Sequence, residues 1–163
     1  MRDNNQKYSR VGKYAQAYAS GLTLLELLMV IAIIGILAAV AISRYADYRE
    51  RIRVAQAITD IRVMSTKIAH YYLDAREYPA SLQDVGAPAA DPWGHPYVYV
   101  DLSATNGKGK ARKDRKLNPL NSDFDLYSMG KDGVTKNQIT NKDSLDDVLR
   151  ANDGAFIDLA ANF

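Results

Sequence analysis

The sequence has no cysteine, so it offers no disulfide framework, no thiolate metal site and no cysteine nucleophile. Proline is absent until residue 79; all five prolines lie at 79, 88, 92, 96 and 119, and no glycine lies between Gly35 and Gly86. Nothing therefore interrupts a helix from Leu22 to about Tyr78, where Pro79 biases the preceding residue away from helical angles. Charge is almost missing from residues 22–43, whose one ionisable side chain is Glu26. Residues 1–21 are polar and basic and lack the apolar stretch that an ordinary secretory signal requires. There is no internal repeat.

What is present is unevenly distributed. The 163 residues suffice for one soluble domain with appendages, and 47% are apolar, yet much of the Leu, Ile, Val and Met sits between Leu22 and Ile42. As a helix, residues 22–43 span roughly 33 Å, the thickness of a bilayer's hydrocarbon. The alternative is a buried core helix, but a segment apolar on every side is hard to bury in so small a domain. Cationic residues flank both ends, with Arg2, Lys7, Arg10 and Lys13 before and Arg44, Arg49, Arg51 and Arg53 after, so charge asymmetry does not fix orientation. The net charge is +2; residues 1–21 hold +3 of it, which leaves −1 and no general case for nucleic acid as a partner.

Beyond Ser43 the pattern changes. Val54, Ile58, Ile61, Met64, Ile68 and Tyr71 recur every three or four residues among Arg, Asp and Lys, which predicts an amphipathic helix half with a core-facing stripe. After Pro79, Tyr97–Val100 and Phe124–Tyr127 are β-branched and aromatic, and turn formers flank them in Asp91-Pro-Trp-Gly94 and Gly130-Lys-Asp-Gly133. The expected fold class is α+β, a long helix packed on a small antiparallel sheet. The basic, glycine-containing run from Asn106 to Leu117 reads as an exposed loop, and Trp93 as a turn and core residue.

Ser20-Gly21-Leu22-Thr23-Leu24-Leu25-Glu26 and the apolar run after it resemble the processing site of type IV prepilins and pseudopilins. That resemblance implies a leader of residues 1–21, cut after Gly21 by a membrane-embedded prepilin peptidase on the cytoplasmic side, with methylation of the new amino terminus at Leu22. It implies a pilin-like fold organised as a transmembrane and filament-core helix half at 22–43, an amphipathic half at 44–78, and a loop with a small antiparallel sheet at 79–163. Leu22 stands where the family usually has Phe, and Ser43 where it commonly has Pro.

Glu26 has a physical logic of its own, since a carboxylate centred in a bilayer costs about 2.5–3.5 kcal/mol and demands a partner. Four residues into the segment, it could also snorkel to the interface. The resemblance implies that it pairs with the amino terminus of an adjacent subunit during assembly.

Asp91-Pro-Trp-Gly-His-Pro-Tyr97 and Asp125-Leu-Tyr-Ser-Met-Gly-Lys-Asp-Gly133 resemble the paired motifs of the major pseudopilin of type II secretion systems; Tyr78-Pro79 fits as well. The implied role is a structural subunit of a pseudopilus that drives export across the outer membrane. The implied setting is a single-pass inner-membrane precursor with its C-terminal domain in the periplasm. The implied partners are further copies of the chain, the peptidase, an inner-membrane assembly platform and minor pseudopilins. A type IV pilus subunit or a DNA-uptake pseudopilin, with the Lys108–Lys116 loop on phosphates, is the alternative.

The same resemblance implies a calcium ion in the C-terminal loop. Its ligands would be Asp132, Asp146 and Asp147, with Leu126 and Ser128 contributing carbonyls, provided the intervening segment is an insertion. The bare sequence shows no EF-hand spacing and by itself favours solvated loop carboxylates. No catalytic role is expected: His70 lies in the helix and His95 in a turn, no nucleophile, base and orienter assemble from linear motifs, and Asn106-Gly-Lys-Gly-Lys110 lacks phosphate-loop spacing.

Overall fold

A computed structural model describes residues 21–103 and 108–163, so the predicted leader up to Ser20 and part of the basic run lie outside the described residues. Two compact units make up the chain, Met1–Ile42 and Ser43–Phe163. Helix α1, Leu24–Ala75, has 52 residues and contributes to both. In the first unit, residues 21–42 are all exposed, the expected state of a stripe-free apolar helix with nothing to bury it. Among the described residues, α1 is the one helix long and apolar enough to cross a membrane.

In the second unit the amphipathic half of α1 buries Ala57, Ile61, Met64 and Ile68. These pack on Tyr97, Phe124, Leu126 and Val148, with Val54 and Ile58 at the margin. The helix ends at Ala75, not near Tyr78. Arg76 adopts φ 60° in the left-handed region, and Tyr78 stacks on Tyr72 with ring centroids 4.5 Å apart. A chain reversal just before Pro79 therefore closes the helix and seals its end with aromatic packing.

The sheet is an antiparallel meander of four strands in the order β1-β2-β3-β4: β1 Val98–Asp101, β2 Phe124–Ser128, β3 Val148–Ala151 and β4 Phe156–Leu159. Tyr99 pairs with Leu126 between β1 and β2, Tyr127 with Leu149 between β2 and β3, and Arg150 with Ile157 between β3 and β4. The last two strands occupy a tail that the sequence presents as glycine- and asparagine-rich.

Every residue of β2 and β3 is buried, so both faces of the sheet are covered. Phe124, Leu126 and Val148 face the helix. Tyr127, Leu149 and Ala151 alternate to a second core with Leu120, Ile139 and Ala160, built from the basic run's flank, the 130s loop and the C-terminus. The basic run is thus not wholly exposed. Ala111 and Arg112 are buried in it, while Lys113, Arg115 and Lys116 are exposed. Its backbone knits to the 130s loop, because the Lys113 amide donates to the Asn137 carbonyl at 2.9 Å and the Ile139 amide to the Lys113 carbonyl at 3.0 Å.

Candidate functional site: the helix start and the docked loop motifs

The Gly21–Leu22 junction is exposed and precedes α1 directly. Thr23 caps the helix. Its carbonyl accepts from the Leu27 amide at 3.1 Å and its hydroxyl accepts from the Glu26 amide at 3.2 Å. Glu26 reaches back, and its Oε2 accepts from both the Thr23 amide and the Thr23 hydroxyl at 2.8 Å. This reciprocal capping box satisfies helix donors that a bilayer could not. The Thr-x-x-Glu spacing is the signal that reveals it, and charge pairing alone does not. Glu26 therefore has an intramolecular partner within the single chain.

The two loop motifs of the second unit meet. Asp91 is 6% exposed and organises the turn. Its Oδ1 accepts from the Trp93 amide at 3.0 Å and the His95 amide at 2.9 Å, and its Oδ2 accepts from the Ser128 hydroxyl at the end of β2. The Ser128 oxygen in turn accepts from the Gly130 amide at 3.1 Å. His95 Nδ1 lies 3.0 Å from the Gly130 carbonyl oxygen. Gly130 has φ +67°, and a Cβ there would fall 2.3 Å from the Asp146 carbonyl oxygen, so no side chain fits. The first motif also grips the helix, with the Trp93 indole donating to Glu50 at 2.9 Å and the Tyr97 hydroxyl to Asp60 at 2.8 Å. Burial, followed by the bond to Asp60, pushes the Tyr97 phenol well above its ordinary range. His95 is thereby a docking residue between loops, whereas His70 is exposed on α1.

The residues expected around calcium have other partners. Asp132 is exposed, and its Oδ1 accepts from the Val134 amide at 2.8 Å. Asp146 Oδ2 accepts from the amides of Lys131 and Asp132 at 2.9 and 3.2 Å. Asp147 is fully buried and holds Arg112 Nη2 at 2.6 Å. Leu126 and Ser128, expected to lend carbonyls, are residues of β2 that pair across the sheet with Tyr99 and Val148. Among the described residues, no group of three or more His, Asp or Glu side chains is placed to hold a metal ion. Placed so, these residues do not fit a calcium shell: Asp147 is taken up by Arg112, which the sequence places in an apparently solvated basic run, and Asp146 and Asp132 by backbone amides.

Two further buried groups escaped sequence reasoning. Arg150 of β3 forks onto Asp123 with Nη1 and Nη2 at 2.7 and 2.6 Å, and its guanidinium lies 4.1 Å from the Phe124 ring centroid. Asp125 accepts from the Arg112 amide at 2.6 Å and from Asn121 at 2.8 Å. Burial raises the Asp125 carboxyl, and those two donors pull it back.

A glycine junction followed by a capped, exposed apolar helix that carries one carboxylate, together with an α+β unit, is the architecture of a pilin-like protein. The family described as "Prokaryotic N-terminal methylation motif" matches residues 17–42. A fimbrial protein of Neisseria meningitidis is 32% identical over 148 residues, covering 87% of this chain and 85% of that one. Type IV major pilin protein PilE1 of Neisseria gonorrhoeae is 32% identical over 152 residues, 85% and 87% of the two chains. Type II secretion system core protein G of Pseudomonas aeruginosa is 31% identical over 136 residues, 70% and 84% of the two chains. No solved structure matches. The chain belongs to the type IV pilin and pseudopilin superfamily, and the relatives named above are a fimbrial protein, a major pilin and a type II secretion core protein.

Proposed function

We propose that this chain is a structural subunit of a type II secretion pseudopilus, held in the inner membrane by residues 22–43 with its α+β head in the periplasm. The prepilin peptidase cuts after Gly21. Polymerisation then buries the exposed apolar helix against other copies, and Glu26 meets the amino terminus of a neighbouring Leu22. The assembly platform and minor pseudopilins complete the machine.

One observation carries the choice of a pseudopilus. The segments that resemble the major pseudopilin, Asp91–Tyr97 and Asp125–Gly133, dock on each other through Asp91, Ser128, His95 and Gly130. The relative named as core protein G supports the same reading. A type IV pilus subunit is the second reading, favoured by the fimbrial relatives' larger coverage of this chain. Deleting the gene in the bacterium that carries it tests the choice. Loss of protein export with surface filaments intact supports the pseudopilus; loss of surface filaments with export intact assigns the chain to a pilus, and loss of DNA uptake alone assigns it to that machinery.

A further inference from the structure

Arg112 is 1% exposed and Asp147 0%, and they form a buried ion pair that joins four parts of the second unit. The guanidinium donates through Nη2 to Asp147 at the start of β3 and through Nη1 to the Thr135 hydroxyl. The Thr135 hydroxyl in turn donates a hydrogen bond to the same Asp147 oxygen at 2.6 Å. The guanidinium lies 4.3 Å from the ring centroid of Tyr127 in β2. The Arg112 backbone ties Asp125 through its amide and Leu120 through its carbonyl, at 2.6 and 2.9 Å. A single side chain and its peptide units thus cross-link the basic run, β2, the 130s loop and β3.

Charge explains why the pair is tolerated in so dry a place. The guanidinium and the Asp147 carboxylate neutralise each other in direct contact, while the other buried guanidinium, Arg150, is matched by Asp123, and the buried Asp125 accepts from the Arg112 amide and from Asn121. A divalent cation set against Asp147 would face a guanidinium already in contact with it. Asp147 Oδ1 and Arg112 Nε are the buried atoms of the pair that lack a protein partner among the described residues, and a carboxylate already neutralised by a guanidinium has little charge left to offer a cation that takes six to eight oxygens. Asp146 is turned to backbone amides instead.

We propose that Arg112 is the built-in cation of the C-terminal lobe, so that the Arg112–Asp147 pair staples the segment from Ser128 to Phe163 where the family resemblance implies calcium. The staple comes from the basic run between β1 and β2. This inference holds for a pseudopilus and a pilus subunit alike.

The test is thermal unfolding of the full chain in detergent, followed by circular dichroism with added calcium and with a calcium chelator. Wild type is expected to melt at the same temperature in both. Breaking a buried pair by removing one partner leaves the other charge stranded, so Arg112→Met should lower Tm by roughly 10 °C or more. Arg112→Lys keeps the charge but loses the fork and should fall between. The double variant Arg112→Met, Asp147→Leu removes both charges and should recover part of the loss. A wild-type Tm that drops in chelator overturns the proposal, as does Arg112→Met melting with wild type. If Arg112→Met does not fold, the wild-type comparison in calcium and chelator decides.

Discussion

Replacing Asp91 separates its charge from its geometry. Asp91→Ala deletes the acceptor of two backbone amides and of the Ser128 hydroxyl in a place that is 6% exposed. Hydrogen bonds to a charged group contribute about 1.5–3 kcal/mol each, and partial entry of water recovers some of that. The expected loss is about 3–5 kcal/mol, or roughly 6–20 °C in Tm for a chain of this size.

Asp91→Asn is more informative. Its carbonyl oxygen still takes the Trp93 and His95 amides, but its NH2 now faces a Ser128 oxygen that already accepts from the Gly130 amide. The hydroxyl proton loses its acceptor, and the strain stays confined to that one contact. About 1–2 kcal/mol is expected for Asn, well short of Ala. Circular dichroism melts of both variants in detergent, with Ser128→Ala and the double variant Asp91→Ala, Ser128→Ala, complete the cycle; the shared bond makes the double loss smaller than the sum. Asn melting at or below Ala, or Ala melting with wild type, would refute the reasoning that this carboxylate locks the two loop motifs together.

Three more outcomes are expected. Mass spectrometry of assembled protein should find Leu22 as the first residue, and Gly21→Ala should leave uncut precursor in the membrane; an intact Met1 in filaments sinks the processing assignment. Glu26→Gln keeps a capping-box partner for Thr23 but loses the charge, so it should be processed and fold normally yet yield few filaments as the only copy; wild-type filament numbers would remove the charge pairing and leave Glu26 a helix cap. Burial leads the forces that raise the phenols of Tyr78, Tyr97, Tyr99 and Tyr127 above their ordinary value. The stability this represents is complete below the unfolded value of about 10 and is lost as pH rises through the folded values, so phenolate absorbance of Tyr97, Tyr99 and Tyr127, whose shifts rest on burial, should appear only together with unfolding. Smooth titration of every tyrosine in the folded chain would contradict their burial.

The elements legible in the sequence are those written in local pattern. The helix follows from a stretch free of proline and glycine, its apolar half from composition, and its buried Ile61, Met64 and Ile68 from their spacing of three and four. Strands β1 and β2 follow from β-branched and aromatic runs. The processing junction and Glu26 stand out because charge is so scarce around them.

Tertiary structure decided the rest. Val148-Leu-Arg-Ala151 does not read as a strand, because a buried Arg150 breaks the apolar pattern until Asp123 and the Phe124 ring are brought to it by folding. Arg112 sits among lysines in a run whose composition predicts solvent, and only contact with Asp147, Thr135 and Tyr127 makes it a core residue. The same contact turns an expected calcium ligand into half of an ion pair. Periodicity reports which face of an element is apolar, since that preference belongs to each residue alone. Which buried charge meets which is a property of pairs distant in the chain, here 35 residues apart for Arg112 and Asp147, and it exists only once the chain has closed.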